Sequence, residues 1–250
     1  MIDSIKKILY QLRPIRKINQ SIRIFTNSEL NIYFAKYPVA VFHHMPKCGG
    51  SSINEALMHW FYLVNDYRPG IKLTPRAEFY LNNKIDLNRL NTKYCLCSHF
   101  EWEGNYLHQR YPRILKEKEK YLIFTFIRDP LQLMISLYYF ERKRGGNINV
   151  TLEEHLTNRE PNYIANRIPC DASNYLEALE RYFFIGVTEK LQRSLNILAQ
   201  KLNKRPIKVP LMNRTKRDGQ EHQLSKTAID QFKERNALDY KIYNYALEHL

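Results

Sequence analysis

Residues 38–64 constrain the chain more than any other stretch. Pro38-Val-Ala-Val-Phe-His43 is an unbroken apolar run that reads as a buried strand, and it leads straight into the turn His44-Met-Pro-Lys-Cys-Gly-Gly-Ser-Ser52. Beyond that turn, Ile53, Ala56, Leu57, Trp60, Phe61 and Val64 fall on one face of a helix predicted over Ser51–Val64. The two glycines, Gly49 and Gly50, let the backbone approach a ligand closely, and the first N–H groups of a helix present the positive end of its dipole. Ser51 and Ser52 add hydroxyl donors and Lys47 adds a mobile positive charge, so the turn is suited to hold a phosphate or a sulfate. A nucleotide triphosphatase loop reads G-x-x-x-x-G-K-[ST], with its lysine after the glycines; here Lys47 comes before them, which disfavours a kinase or GTPase.

Three further apolar runs, Tyr94–Ser98, Tyr121–Ile127 and Phe183–Val187, read as strands, the second apolar enough for the centre of a parallel sheet. Pro130 suits the first turn of a helix carrying Leu133, Met134, Leu137 and Tyr138 inward. An amphipathic helix is expected over Glu189–Leu202 and further helices over 223–249. Residues 141–170, polar and containing Gly145-Gly146 and Pro161, suggest a lid or acceptor loop. Strands alternating with helices imply an α/β fold of three layers: a mainly parallel central sheet with a P-loop-like strand–loop–helix, flanked by helices, with ligands beyond the carboxyl ends of the strands. With 44% of the 250 residues hydrophobic, one core is expected, in a single domain over 37–250 behind a basic arm over 1–36. In that arm Ile5, Ile8, Leu9 and Leu12 share one helical face before Pro14, which suits packing on the domain or a peripheral membrane contact.

The formal charge of +14 points to an acidic partner: nucleic acid, anionic lipid, a phosphorylated cofactor or an anionic glycan. No helix-turn-helix, zinc-finger or ribonucleoprotein signature accompanies the charge, so a basic nucleic-acid-binding protein is the rival reading and no nucleic-acid partner is expected. The four cysteines Cys48, Cys95, Cys97 and Cys170 are too scattered for a disulfide framework, and Cys95-x-Cys97 lacks the second ligand pair of a zinc site, so buried strand thiols in a reducing compartment are expected. No apolar run approaches the roughly 20 residues of a membrane span, and no signal-peptide pattern opens the chain. The expected location is cytoplasmic.

Pro46 to Ser52 resembles the 5'-phosphosulfate loop of the carbohydrate sulfotransferases, particularly the branch of the heparan and dermatan sulfate uronyl enzymes and related bacterial proteins. Arg128-Asp129-Pro130 followed by Ser136-Leu-Tyr138-Tyr139 is similar to that family's second signature, in the right order. The resemblance runs more faintly through Phe184–Glu189 and Asn236–Tyr240, and Leu133 departs from the basic residue that many relatives carry there. It implies a sulfotransferase that moves the sulfuryl group of 3'-phosphoadenosine 5'-phosphosulfate (PAPS) to a hydroxyl of a carbohydrate, leaving adenosine 3',5'-bisphosphate (PAP) and requiring no metal. Animal relatives are Golgi membrane proteins, so a truncated animal enzyme would act in the Golgi lumen. A nucleotide kinase-like enzyme on the same loop, or a silent family member that only binds, are the alternatives.

The resemblance gives Lys47 the stabilisation of the leaving phosphate. Cys48, Gly49, Gly50, Ser51 and Ser52 would hold the 5' end, and Arg128 with Ser136 the 3'-phosphate. Arg214 and Lys216, in the late basic loop Asn213–Arg217, would close over the nucleotide. An alcohol acceptor needs a base. His99, in Cys97-Ser-His-Phe, resembles the catalytic histidine of the uronyl branch, with Glu101 and Glu103 as rivals. His43 and His44 read as structural. Asn162–Ile168 resembles a segment near the acceptor, where Trp102 or Tyr106 could stack on a sugar.

Overall fold

The computed structural model describes residues 37–66, 84–101, 104–143, 150–168, 170–209 and 224–250. The arm 1–36, Trp102, Glu103, Gly145-Gly146, and the loop bearing Arg214 and Lys216 lie outside the described residues.

Strand β1 (Val39–His43) is buried along its whole length and leads into helix α1 (Gly50–Leu57). Strands β2 (Tyr62–Asn65) and β3 (Tyr94–Ser98) follow, then the short helices α2 (Leu107–Arg110) and α3 (Pro112–Lys116), β4 (Tyr121–Ile127) and the long helix α4 (Pro130–Lys143). Next come α5 (Leu152–Asn158), α6 (Tyr175–Glu180), β5 (Phe184–Val187), α7 (Leu191–Lys201), α8 (Lys226–Arg235) and α9 (Ala237–Glu248). The sheet is five-stranded in the order β2-β3-β1-β4-β5, and every pairing is parallel.

Both faces are covered, which is why the strands read as nearly unbroken apolar runs. Val39, Val41, Leu96, Ile123 and Ile127 enter one core with Leu133, Met134 and Leu137 of α4 and Ile242 and Ala246 of α9. Ala40, Phe42, Cys95, Cys97, Phe124 and Phe126 enter the other with Ile53, Ala56 and Leu57 of α1 and Leu195 and Leu198 of α7. Cys95 and Cys97 are thus buried strand thiols. None of the helices among the described residues is long and apolar enough to cross a membrane.

One expectation fails. Helix α1 stops at Leu57 instead of running to Val64, and Tyr62–Asn65 is an edge strand paired to β3. His59-Trp60-Phe61-Tyr62 is a run of aromatic rings that lose χ1 freedom in a helix and fit a pleated surface. Phe61 and Leu63 enter one core and Val64 the other, and adjacent residues buried on opposite faces imitate helical spacing.

The helices that follow the two central strands lie on opposite faces, α1 after β1 and α4 after β4. Their N-termini therefore open a crevice between β1 and β4 at the carboxyl edge of the sheet, where parallel α/β folds bind ligands.

Candidate active site

The described candidate residues follow the carboxyl ends of the strands or ride on the helices that begin there. After β1 the turn is wound tightly: Lys47 and Gly49 both take left-handed backbone angles, φ 63° and 78°. Gly49 caps α1, and its carbonyl accepts from the backbone N–H of Ser52 and Ile53 at 3.0 and 3.1 Å. Gly50 must lack a side chain, because a Cβ there would lie 1.7 Å from Nε2 of His44. Ser51 is exposed and Ser52 buried. Burial raises the Cys48 thiol well above its ordinary range, so only its backbone suits an anion site. The Lys47 ammonium stands 3.9 Å over the ring of Phe140 on α4. Ser136 lies four residues earlier on that helix, hence on the same face, and is half-buried.

Arg128 leaves the end of β4 and donates from Nη1 to the carbonyl of Lys47 at 3.4 Å, tying the two motifs together. Its charge partner is Glu189, at 3.7 Å, just beyond β5. Asp129 is occupied otherwise: its carboxylate accepts from the Gln132 backbone N–H at 2.9 Å, capping α4, while its own N–H donates to Glu189 at 3.2 Å. Glu189 stood in the faint part of the resemblance with no role attached, and sequence spacing could not pair it with Arg128 across two strands.

His99 follows β3. Its Nδ1 lies 3.1 Å from Oε1 of Glu101, and its ring meets that of His44 edge to face at 4.4 Å. His44 in turn stacks on Phe42 and presses on Gly50, so the histidine after β3 is brought against the start of α1. Burial, then the neighbouring His99 and His43, hold His44 well below the ordinary histidine range. His43 is fully buried with Nδ1 2.8 Å from the Tyr182 hydroxyl, and burial, reinforced by Arg167, lowers it to about 3.

A depressed histidine binds its proton only in the unfolded chain, so its contribution is present above the ordinary value near 6.5 and is lost as pH falls toward 3. Between pH 7 and pH 5, His43 accounts for a loss of about 2 kcal/mol. His44 acts in the same direction. Asp239, raised by burial to about 6, acts in the opposite one. Comparing wild type with His43→Asn cancels the shared groups: urea unfolding at the two pH values is expected to show the variant losing about 2 kcal/mol less. Equal losses would refute the assignment.

The sulfotransferase family model matches residues 31–246. The chain belongs to the sulfotransferase family. No curated protein sequence matches it. Among solved structures it is similar to a sulfotransferase from Alicyclobacillus acidocaldarius, at 14% identity and TM-score 0.45 over 81% of this chain and 92% of that one. It is also similar to mouse sulfotransferase SULT7A1, solved in complex with PAP, at 10% identity and TM-score 0.42 over 83% of this chain and 67% of that one.

In this sulfotransferase the segment Asn162–Ile168 is clamped to the C-terminal helices. Asp239 accepts from the backbone N–H groups of Ile164 and Ala165, and the Asn162 N–H donates to Asn236 at 2.8 Å. The clamp presents Arg167, whose guanidinium lies 3.3 Å from the Tyr163 ring and 3.8 Å from Glu101. Tyr106 stacks on His108, and its backbone N–H is capped by Gln109. The sulfotransferase thus gathers Lys47, Gly49–Ser52, Arg128 and His99 beyond the carboxyl ends of β1, β4 and β3, with Ser136 on the helix that follows β4.

Proposed function

We propose that this chain transfers the sulfuryl group of PAPS to a hydroxyl of a carbohydrate. The observation that carries the reading is the tie from Arg128 Nη1 to the Lys47 carbonyl, which fixes a guanidinium after β4 beside a glycine turn that opens a helix. A donor with phosphate groups at both its 5' and 3' positions needs two such anion sites at a set separation. Gly49, Gly50, Ser51 and Ser52 would take the phosphosulfate end at the start of α1, and Arg128 with Ser136 the 3'-phosphate. Lys47 would meet the charge that develops on the bridging oxygen as it leaves, and His99 would accept the proton of the attacking hydroxyl.

His99 suits the base better than Glu101. Its side chain is 37% exposed against 17% for Glu101, and the carboxylate is already engaged by His99 and Arg167. The saccharide acceptor rests on the order and spelling of the two motifs.

Calorimetric titration with PAP, beside adenosine 5'-monophosphate and ATP, tests the donor site. Wild type is expected to prefer the bisphosphate, and Arg128→Ala to bind it about 10²-fold more weakly, the worth of a charge-assisted contact to phosphate. Equal affinity for the 5'-monophosphate, or an unaffected variant, would overturn the reading.

A further inference from the structure

We propose that Glu101 and Arg167 are positioning residues that fix the tautomer of His99 and shelter the positive charge it acquires. The inference rests on the reading of His99 as the base and extends it to two residues for which the motifs give no such role.

An ionised carboxylate accepts hydrogen bonds and donates none, so the 3.1 Å contact requires the proton of a neutral His99 to sit on Nδ1. The lone pair then lies on Nε2. Water favours the other tautomer, with the proton on Nε2, which would leave no basic atom on that side of the ring. Glu101 therefore selects the form that can take a proton there.

Arg167 supplies the counter-charge behind Glu101 at 3.8 Å. It is itself held by Tyr163, whose ring it covers at 3.3 Å and whose carbonyl accepts from Nη1 at 2.9 Å. The backbone below Arg167 is fixed by the Asp239 carboxylate on α9. Exposure falls along the row, from 37% for the His99 side chain to 17% for Glu101 and 14% for Arg167. The base thus borders solvent while its supports lie behind it.

Among the described residues, two further titratable groups near His99 are His44, from the turn after β1, and His43, at the end of that strand. Burial keeps both neutral at physiological pH, so neither opposes an imidazolium. In the step itself the acceptor oxygen bonds to sulfur while its proton passes to Nε2. The bond from sulfur to the bridging oxygen breaks, its electron pair staying on the phosphate, and the imidazolium later returns the proton to solvent.

Histidine-labelled full-length protein, examined by long-range proton–nitrogen correlation at mildly alkaline pH, reads the tautomer directly, with His99→Gln assigning the resonance. The expected result is Nδ1–H in wild type and Nε2–H in Glu101→Ala. A wild-type ring protonated on Nε2, or an unchanged ring in Glu101→Ala, would overturn the proposal. Transfer from a labelled donor to desulfated heparan sulfate or chondroitin supplies the second readout. Glu101→Ala is expected to lower kcat about 10²-fold with PAP affinity retained. Glu101→Gln, which can still accept from Nδ1 but carries no charge, should move the acidic limb of the pH–rate profile to lower pH. The two failures separate cleanly. A His99→Gln variant that transfers at the wild-type rate removes the base reading itself. An inactive His99→Gln beside Glu101 variants with wild-type tautomer, rate and profile removes only the positioning role.

Discussion

Lys47→Ala is expected to reduce sulfuryl transfer about 10³-fold while leaving the protein folded. The proposed reaction would build negative charge on the oxygen that bridges sulfur and phosphate, and a cation aimed there stabilises the transition state more than the bound donor. The loss therefore belongs in kcat, with the KM for the intact donor changing far less, while PAP affinity also falls because its 5'-phosphate bears in full the charge that only develops in the transition state. Stability should change little. Lys47 holds a left-handed backbone angle that alanine would share at similar cost, and the contact of its ammonium with Phe140 contributes about 0.5–1 kcal/mol. Lys47→Arg is not a conservative rescue, since a planar fork replaces a compact charge on a flexible stem. Single-turnover transfer, a PAP titration and a thermal melt on the same preparation check all three statements. A variant within tenfold of wild type would remove Lys47 from the chemistry.

The parts that were legible in the sequence share a cause. β1, its glycine turn and the start of α1 are specified locally, by an apolar run, by the two glycines and by helical spacing from Ile53 to Leu57. The same holds for β4 and α4, where Pro130 occupies the first helical turn. Lys47 and Arg128 fall on one edge because every strand is parallel and the edge is common to all, and Ser136 rides on α4, which begins there. What was illegible depends on distant partners. Glu189 meets Arg128 only because β5 pairs with β4, and Arg167 reaches Glu101 only because Asp239 and Asn236, near the C-terminus, clamp the backbone of Asn162–Ala165. β2 is illegible for a different reason: its adjacent Leu63 and Val64 are buried on opposite faces while Tyr62 is exposed, so no alternation shows, and its residues continue the spacing of α1.

That missed strand ends in the most buried ion pair among the described residues, and the second large effect is expected there. Asp66, 3% exposed, receives Nε and Nη2 of Arg110, itself 4% exposed, together with the Tyr111 hydroxyl at 2.7 Å. The backbone of Asp66 is tied to β3 as well: its N–H donates to the Cys97 carbonyl at 2.8 Å, and its own carbonyl accepts from the Ser98 hydroxyl. Asp66→Ala removes the carboxylate that Arg110 and Tyr111 both meet in the interior and should cost about 3–5 kcal/mol, read as a lower urea midpoint at unchanged slope. Because Ser98 immediately precedes His99, the same variant should also impair transfer at temperatures where it remains folded. The pair need not be a net source of stability, since two charges taken out of water lose much of what their attraction returns. Removing both members tests this: Asp66→Leu with Arg110→Met is expected to recover most of the stability lost by Asp66→Ala, and an equally unstable double variant would show that the ion pair contributes a large net term. If the double variant regains stability but not transfer, the interaction serves to hold the end of β3, and His99 with it, in register rather than to stabilise the fold.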